Sequence, residues 1–203
     1  NKSFLSGVAT DSHRLSFSRL EINSNTDLEP IILPKKTIFQ LISLLEQSSS
    51  TIKISNNKSK IKFEMDSGVL ISKVIDGRFP DYSKVIPKGN DKILQIKLDE
   101  FKNSIERVIT VSSDHKEGLK MAISRDVVQL SVNNPSYGEG IENINAKFNS
   151  NDLNISFNSR YLTDIASQIE NESIVINLKD AGSPVLINDY SDKNSFYVVM
   201  PMK

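Results

Sequence analysis

One pattern governs what this chain can fold into: a short apolar segment, an amphipathic helix and three alternating segments, met three times over. The helical stretches are "PKKTIFQLISLLEQS", "DEFKNSIERVITV" and "NSRYLTDIASQIE". In the first, Ile38, Leu41, Ile42 and Leu45 follow the i, i+3, i+4, i+7 spacing of one helix face, with Pro34 suited to a first turn. In the second the stripe is Phe101, Ile105, Val108 and Ile109, behind Asp99 as N-cap. In the third it is Leu162, Ile165, Ala166 and Ile169, behind Asn158. The apolar segments "PIILP", "KILQIKL" and "DLNISF" precede the helices. After each helix come strand-like runs of period two, such as "TIKIS", "SKIKFEM" and "VLISKVI" after the first. Asn56-Asn57, Asp66-Ser67-Gly68 and Asn133-Asn134-Pro135 supply turns between such runs.

The chain therefore reads as α+β, built from β-α-β-β-β units at intervals of about 60 residues. Residues 1–23 read as the last two strands of a further copy, so the chain is expected to be a piece of a longer protein. With two copies to a domain, 1–82 is expected to end a middle domain truncated at its start. "SKVIPKGND" at 83–91 is then a linker, and 92–203 a C-terminal domain.

Composition narrows the function. The 203 residues are 38% hydrophobic and 25% charged, enough to bury a real core. The sequence shows no apolar run of the roughly 18–20 residues a membrane span needs, and no signal-peptide pattern. Without cysteine there is no disulfide, thiolate catalyst or Cys-based zinc site, which agrees with a cytoplasmic location. Lys plus Arg and Asp plus Glu are both 25. Zero net charge argues against tight DNA binding through many phosphate contacts, though not against charges sorted onto different faces.

Three motifs stand out. "VATDSHRLSF", residues 8–17, reads as a hairpin turning at Asp11-Ser12. Pairing Thr10 with His13 and Val8 with Leu15 gathers Val8, Thr10, His13, Leu15 and Phe17 on one side. A catalytic Ser12–His13 pair is disfavoured, because sequence neighbours rarely aim at one another. A metal site lacks ligands, the only other histidine being His115 in a polar loop. No catalytic residue, metal or cofactor is expected. "VIDGRFPDYSKVIP", residues 74–87, is a stiff, aromatic-rich connection. The terminal "FYVVMPMK" puts Val198, Met200 and Met202 on one strand face, while Pro201 removes a ladder donor. Methionines there form an adaptable apolar surface.

Together "ATDSHRL", "DGRFPDY" followed by "KVIP", and "YVVMPM" resemble the bacterial DNA polymerase III β subunits, the sliding clamps, in order and spacing. The resemblance covers the whole chain, as the latter part of a clamp's second domain and all of its third. It implies the DNA-clamp fold, with helices lining a ring of two head-to-tail protomers and sheets outside. The ring encircles duplex DNA without reading its sequence and acts as a non-catalytic processivity factor in DNA replication. A topological link explains how zero net charge suits a DNA-binding role. Lys35, Lys36, Lys102, Arg107 and Arg160 are the candidate DNA-facing residues.

The resemblance also implies a pocket for short linear motifs, typically a glutamine followed by leucine or phenylalanine, from DNA polymerases and the clamp loader. By motif match Thr10, Ser12, His13, Arg14, Leu15, Pro80, Lys84, Val85, Val198 and Met200 line it. Asn158, Tyr161, Pro184, Pro201 and Met202 form its neighbouring part. The chain departs from the family at three places. Ser12 stands where many members have glycine, Lys84 stands where arginine is common, and many members carry one more apolar residue after the position of Lys203. The competing readings are a hydrolase using Asp11, His13 and Asp81, and a peptide-binding interaction module that never encircles DNA. A homodimer is expected of the full-length protein and a monomer of these 203 residues.

Overall fold

The computed structural model describes residues 3–22, 29–46, 51–112 and 118–202. His115 lies outside the described residues. The chain forms two compact units, Asn1–Ile22 with Tyr82–Lys203, and Asn23–Asp81. In the larger unit a backbone ladder that local pattern cannot reveal joins Arg14–Ser18 to Ser195–Val199.

The larger unit contains β1 (Ser3–Thr10), β2 (Arg14–Ile22), β6 (Lys92–Lys97), α2 (Leu98–Val108) and β7 (Gly118–Ile123). It continues with β8 (Val127–Asn134), β9 (Gly138–Phe148), β10 (Leu153–Asn158) and α3 (Ser159–Ala166). The last strands are β11 (Ser173–Leu178), β12 (Val185–Asp189) and β13 (Ser195–Val199). The strands form one sheet in the order β1-β2-β13-β12-β11-β6-β9-β8-β7-β10. The first strand of each repeat crosses to the other copy: β6 pairs with β11, and β10 with β7. This exchange interlocks the two repeats, and α2 and α3 touch one another.

The core follows the helical stripes. Phe101, Ile105 and Val108 of α2 and Leu162, Ile165 and Ala166 of α3 are buried against strand residues such as Leu94, Leu130, Phe157 and Ile176. Asn158 caps α3, its Oδ1 accepting the Arg160 N–H at 3.0 Å. Asp99 does not cap α2. The helix starts at Leu98 after Lys97, so Asp99 sits in the first turn, where its charge favours the positive end of the helix dipole.

The smaller unit holds α1 (Lys35–Leu45) and a three-stranded antiparallel sheet of β3 (Lys53–Asn56), β4 (Lys60–Met65) and β5 (Gly68–Lys73). "PIILP" does not form a strand; Ile32 makes an isolated bridge with Ile75. The expected α1 stripe is also corrected. Thr37 is buried, and Leu41, Leu44 and Leu45 pack on Ile61, Phe63 and Met65, whereas Ile38, Phe39 and Ile42 are exposed. A single small sheet covers only one side of the helix, and that side is centred away from Ile38. Among the described residues no helix is long and apolar enough to cross a membrane.

Candidate functional site

The site is built on the hairpin β1–β2. Its register pairs Thr10 with Leu15 and Val8 with Phe17, not Thr10 with His13. The loop is wider than expected because the Asp11 carboxylate competes for backbone donors. Its Oδ1 accepts the N–H of His13 at 3.1 Å and of Arg14 at 3.0 Å. Ser12 is carried into the left-handed region at φ 76°, and its N–H donates to Thr10 Oγ1 at 3.3 Å. The slip is by two residues, so Val8, Thr10, Leu15 and Phe17 keep their common side while His13 moves into the loop.

The C-terminal segment straps this loop to a distant strand. Val198 lies opposite Leu15, and Val199 opposite Arg14. Beyond β13, the Met200 N–H donates to the His13 carbonyl at 2.9 Å. Past Pro201, the Met202 N–H donates to the Ser156 carbonyl of β10 at 2.8 Å. The tail thereby bridges the hairpin to the strand that leads into α3. Met202 also covers Gly118, where an added Cβ would lie 3.5 Å from the sulfur.

Helix α3 supplies the third wall. The Arg14 guanidinium lies 4.4 Å from the centre of the Tyr161 ring, a cation–π contact. Its Nη1 donates to Asp164 Oδ2 at 2.7 Å and its Nε to Asp11 Oδ2 at 2.9 Å. Burial opposes the charge of Arg14, but the hydrogen bonds to Asp164 and Asp11 outweigh it and raise its pKa. Burial likewise works against ionisation of Asp11. The bonds from the Arg14 side chain and the His13 and Arg14 amides prevail, holding its carboxyl below the usual range.

The structure thus brings together Thr10, Ser12, His13, Arg14, Leu15, Asn158, Tyr161, Val198, Met200, Pro201 and Met202. Leu15 and Val198 are 3% and 4% exposed, which makes them the floor of this cradle rather than its open wall. Met200 and Met202, at 43% and 39%, offer the accessible apolar surface. Pro184 stands just before Val185, the partner of Val199. Lys84 ends a short 3-10 turn, and the Val85 N–H closes that turn on the Tyr82 carbonyl at 3.1 Å. Tyr82 meets Phe17, which stacks on Phe196 at 4.7 Å. Pro80 is exposed and belongs to the other compact unit. Asp164 went unnoticed in the sequence, although it lies three residues beyond Tyr161 and so shares its helix face.

The basic candidates are not alike. Lys35 and Lys36 are exposed at the start of α1, with Lys35 5.4 Å from the Phe39 ring centre. Arg160 is exposed and Lys102 half-buried. Arg107 is committed to protein partners: Nε and Nη2 grip the Glu142 carboxylate, the latter at 2.7 Å, and Nη2 also donates to Ser104 Oγ at 3.1 Å. The bonds from Arg107 and Ser104 hold the Glu142 carboxyl down at about 2. A guanidinium neutralised in this way is a poor phosphate ligand, so Arg107 is a weaker candidate than its position on α2 suggested.

Comparison with known proteins gives a consistent answer. Residues 1–81 match the family model for the DNA polymerase III beta subunit, central domain, and residues 83–203 that for its C-terminal domain. The chain is 34% identical over 200 residues to the beta sliding clamp of Caulobacter vibrioides, covering 98% of this chain and 54% of that protein. It is 30% identical over 196 residues to the beta sliding clamp of Escherichia coli, covering 97% and 54%. A crystal structure of a sliding clamp from Bartonella birtlesii bound to griselimycin superimposes with a TM-score of 0.94. That match has 40% identity and covers 98% of this chain and 54% of the other. The chain spans about half the length of the relatives it matches.

Proposed function

The chain belongs to the DNA polymerase III beta subunit family, the sliding clamps, and we propose that it is the part of such a clamp that carries the peptide-binding cradle. In the complete protein, two protomers joined head to tail encircle duplex DNA. The cradle tethers polymerases and the clamp loader by short linear motifs. It does no chemistry: the ring keeps the polymerase at the template, and processivity follows from the tether. The setting is the cytoplasm, where replication takes place.

The observation that carries this reading is the strap made by the tail. Met200 is hydrogen-bonded to His13 and Met202 to Ser156, so one segment joins the hairpin to the strand entering α3. An apolar rim of two methionines lies over a buried Leu15–Val198 floor, with Arg14, His13 and Asn158 as polar neighbours. Burying a leucine or phenylalanine anchor on such a surface contributes about 1.5–3 kcal/mol when it is fully enclosed. Modest affinity is enough, because a tether to a ring held on DNA raises the local polymerase concentration to about millimolar. Lys35, Lys36, Lys102 and Arg160 are the residues proposed to face the DNA.

The test is titration of a labelled Gln-Leu-Ser-Leu-Phe peptide against wild type and Met200→Ala, with griselimycin as competitor. Micromolar binding, weakened by the substitution and displaced by griselimycin, is expected. Folded wild type that binds neither molecule would refute the cradle. For the complete protein, retention on circular DNA and loss from linear DNA distinguish an encircling clamp from a peptide module alone.

A further inference from the structure

Resting on the peptide-cradle reading, we infer that Asp164 is a positioning and charge-selecting residue of that site. By pairing with Arg14 it holds the guanidinium over Tyr161 and leaves it without net positive charge, so the cradle favours an uncharged polar anchor over an acidic one.

The geometry constrains Arg14 on three sides. Asp11 takes the Nε edge at 2.9 Å, Asp164 takes Nη1 at 2.7 Å, and the guanidinium carbon lies over the Tyr161 ring, 4.4 Å from its centre. Asp11 belongs to the same hairpin as Arg14, so its bond shapes the loop but cannot fix the loop against α3. Asp164 can, because it lies 150 residues away on the helix. The ion pair therefore acts as a spacer between hairpin and helix, the two walls between which a peptide would lie.

The charge count carries the selectivity. One guanidinium faces two carboxylates, so the Asp11–Arg14–Asp164 cluster has one net negative charge. An acidic side chain entering beside it meets repulsion. A neutral amide does not, and the guanidinium, with five N–H donors in all, commits only two to these carboxylates in the bonds above. Arg14 thus acts as an oriented donor rather than as a counter-ion. The Asp164 side chain is 48% exposed, so its removal should leave folding largely intact.

The experiment compares Gln-Leu-Ser-Leu-Phe with Glu-Leu-Ser-Leu-Phe on wild type, Asp164→Asn, Asp164→Glu, Arg14→Ala, the Arg14→Ala/Asp164→Asn double variant and Met200→Ala. Asp164→Asn is expected to weaken the glutamine peptide about three- to tenfold, the range of a partly exposed charged contact. It should weaken the glutamate peptide less, narrowing the preference for glutamine by at least about threefold. Asp164→Glu should restore most of both effects, and Asp164→Asn should leave the glutamine peptide unaffected once Arg14 is gone. A merely structural role would lower both peptides equally and leave their ratio unchanged. An unchanged ratio, or an Asp164→Asn effect on the glutamine peptide that persists without Arg14, overturns the inference. If Met200→Ala weakens binding while Asp164→Asn changes neither peptide, the cradle stands and only the role of Asp164 falls. If folded wild type binds neither peptide, both fall together.

Discussion

Ser12 occupies the left-handed region at φ 76°, at the tip of the hairpin that frames the cradle. For a residue with a Cβ this conformation costs about 1–2 kcal/mol, because the Cβ crowds the following carbonyl. Replacing Ser12 with glycine removes that strain. It also makes the unfolded chain more flexible, which takes back about 0.4–1 kcal/mol. The serine side chain is exposed, and its backbone N–H bond to Thr10 Oγ1 survives the change. Ser12→Gly should therefore stabilise the chain by about 0.5–1 kcal/mol, which raises Tm by about 2 °C in a protein of this size. Ser12→Val keeps the strain and adds a β-branch, so it should destabilise by about 1 kcal/mol or more. Urea unfolding of the three proteins side by side measures both changes. A glycine variant no more stable than wild type, together with a valine variant equal to it, would show that the loop does not hold Ser12 in this conformation.

Three further outcomes follow from the same geometry. A Cβ on Gly140 would lie 2.7 Å from the Val108 carbonyl oxygen and 3.2 Å from its Cα, both backbone atoms of α2 that cannot swing aside. Gly140→Ala should cost about 1–3 kcal/mol by urea midpoint, whereas Gly7→Ala, with nothing within 4 Å, should be neutral or slightly stabilising. Glu142, held at about 2 by its bonds from Arg107 and Ser104, has a folded pKa below its unfolded value of 4.5. Its ionised form therefore stabilises the fold fully above 4.5 and ceases to do so as pH falls toward about 2. Glu142→Gln should be less stable than wild type at about pH 7, and urea midpoints at about pH 7, 4 and 2.5 should converge on acidification. Leu15→Ala removes the floor under the cradle and should cost about 2–5 kcal/mol, with hydrogen exchange rising in β2 and β13 together.

Much of the fold was legible in local pattern. Phe101, Ile105 and Val108 of the α2 stripe and Leu162, Ile165 and Ala166 of the α3 stripe are buried as their spacing indicates, and Asn158 caps its helix because a side-chain acceptor ahead of a helix meets an orphan N–H. The hairpin face was also right for Val8, Thr10, Leu15 and Phe17, although the register was two residues out and His13 lies in the loop. A shift of two preserves the alternation of side chains, while the loop width depended on the Asp11 side chain capturing two amides. Local pattern failed at α1. Periodicity tells which face of a helix can be buried, and only packing decides which face finds a partner.

By itself, then, the sequence determined most of the elements, their order and the repeat that pairs them. It also supplied the three motifs whose joint presence pointed to the family. Only the tertiary structure decided that the hairpin and the terminal segment meet one another and helix α3. β2 finds β13 across some 180 residues of chain, the tail reaches β10, and Asp164 reaches Arg14. Ladders and ion pairs between distant residues leave no periodic trace, because they depend on where the chain returns in space and not on which residues are neighbours along it.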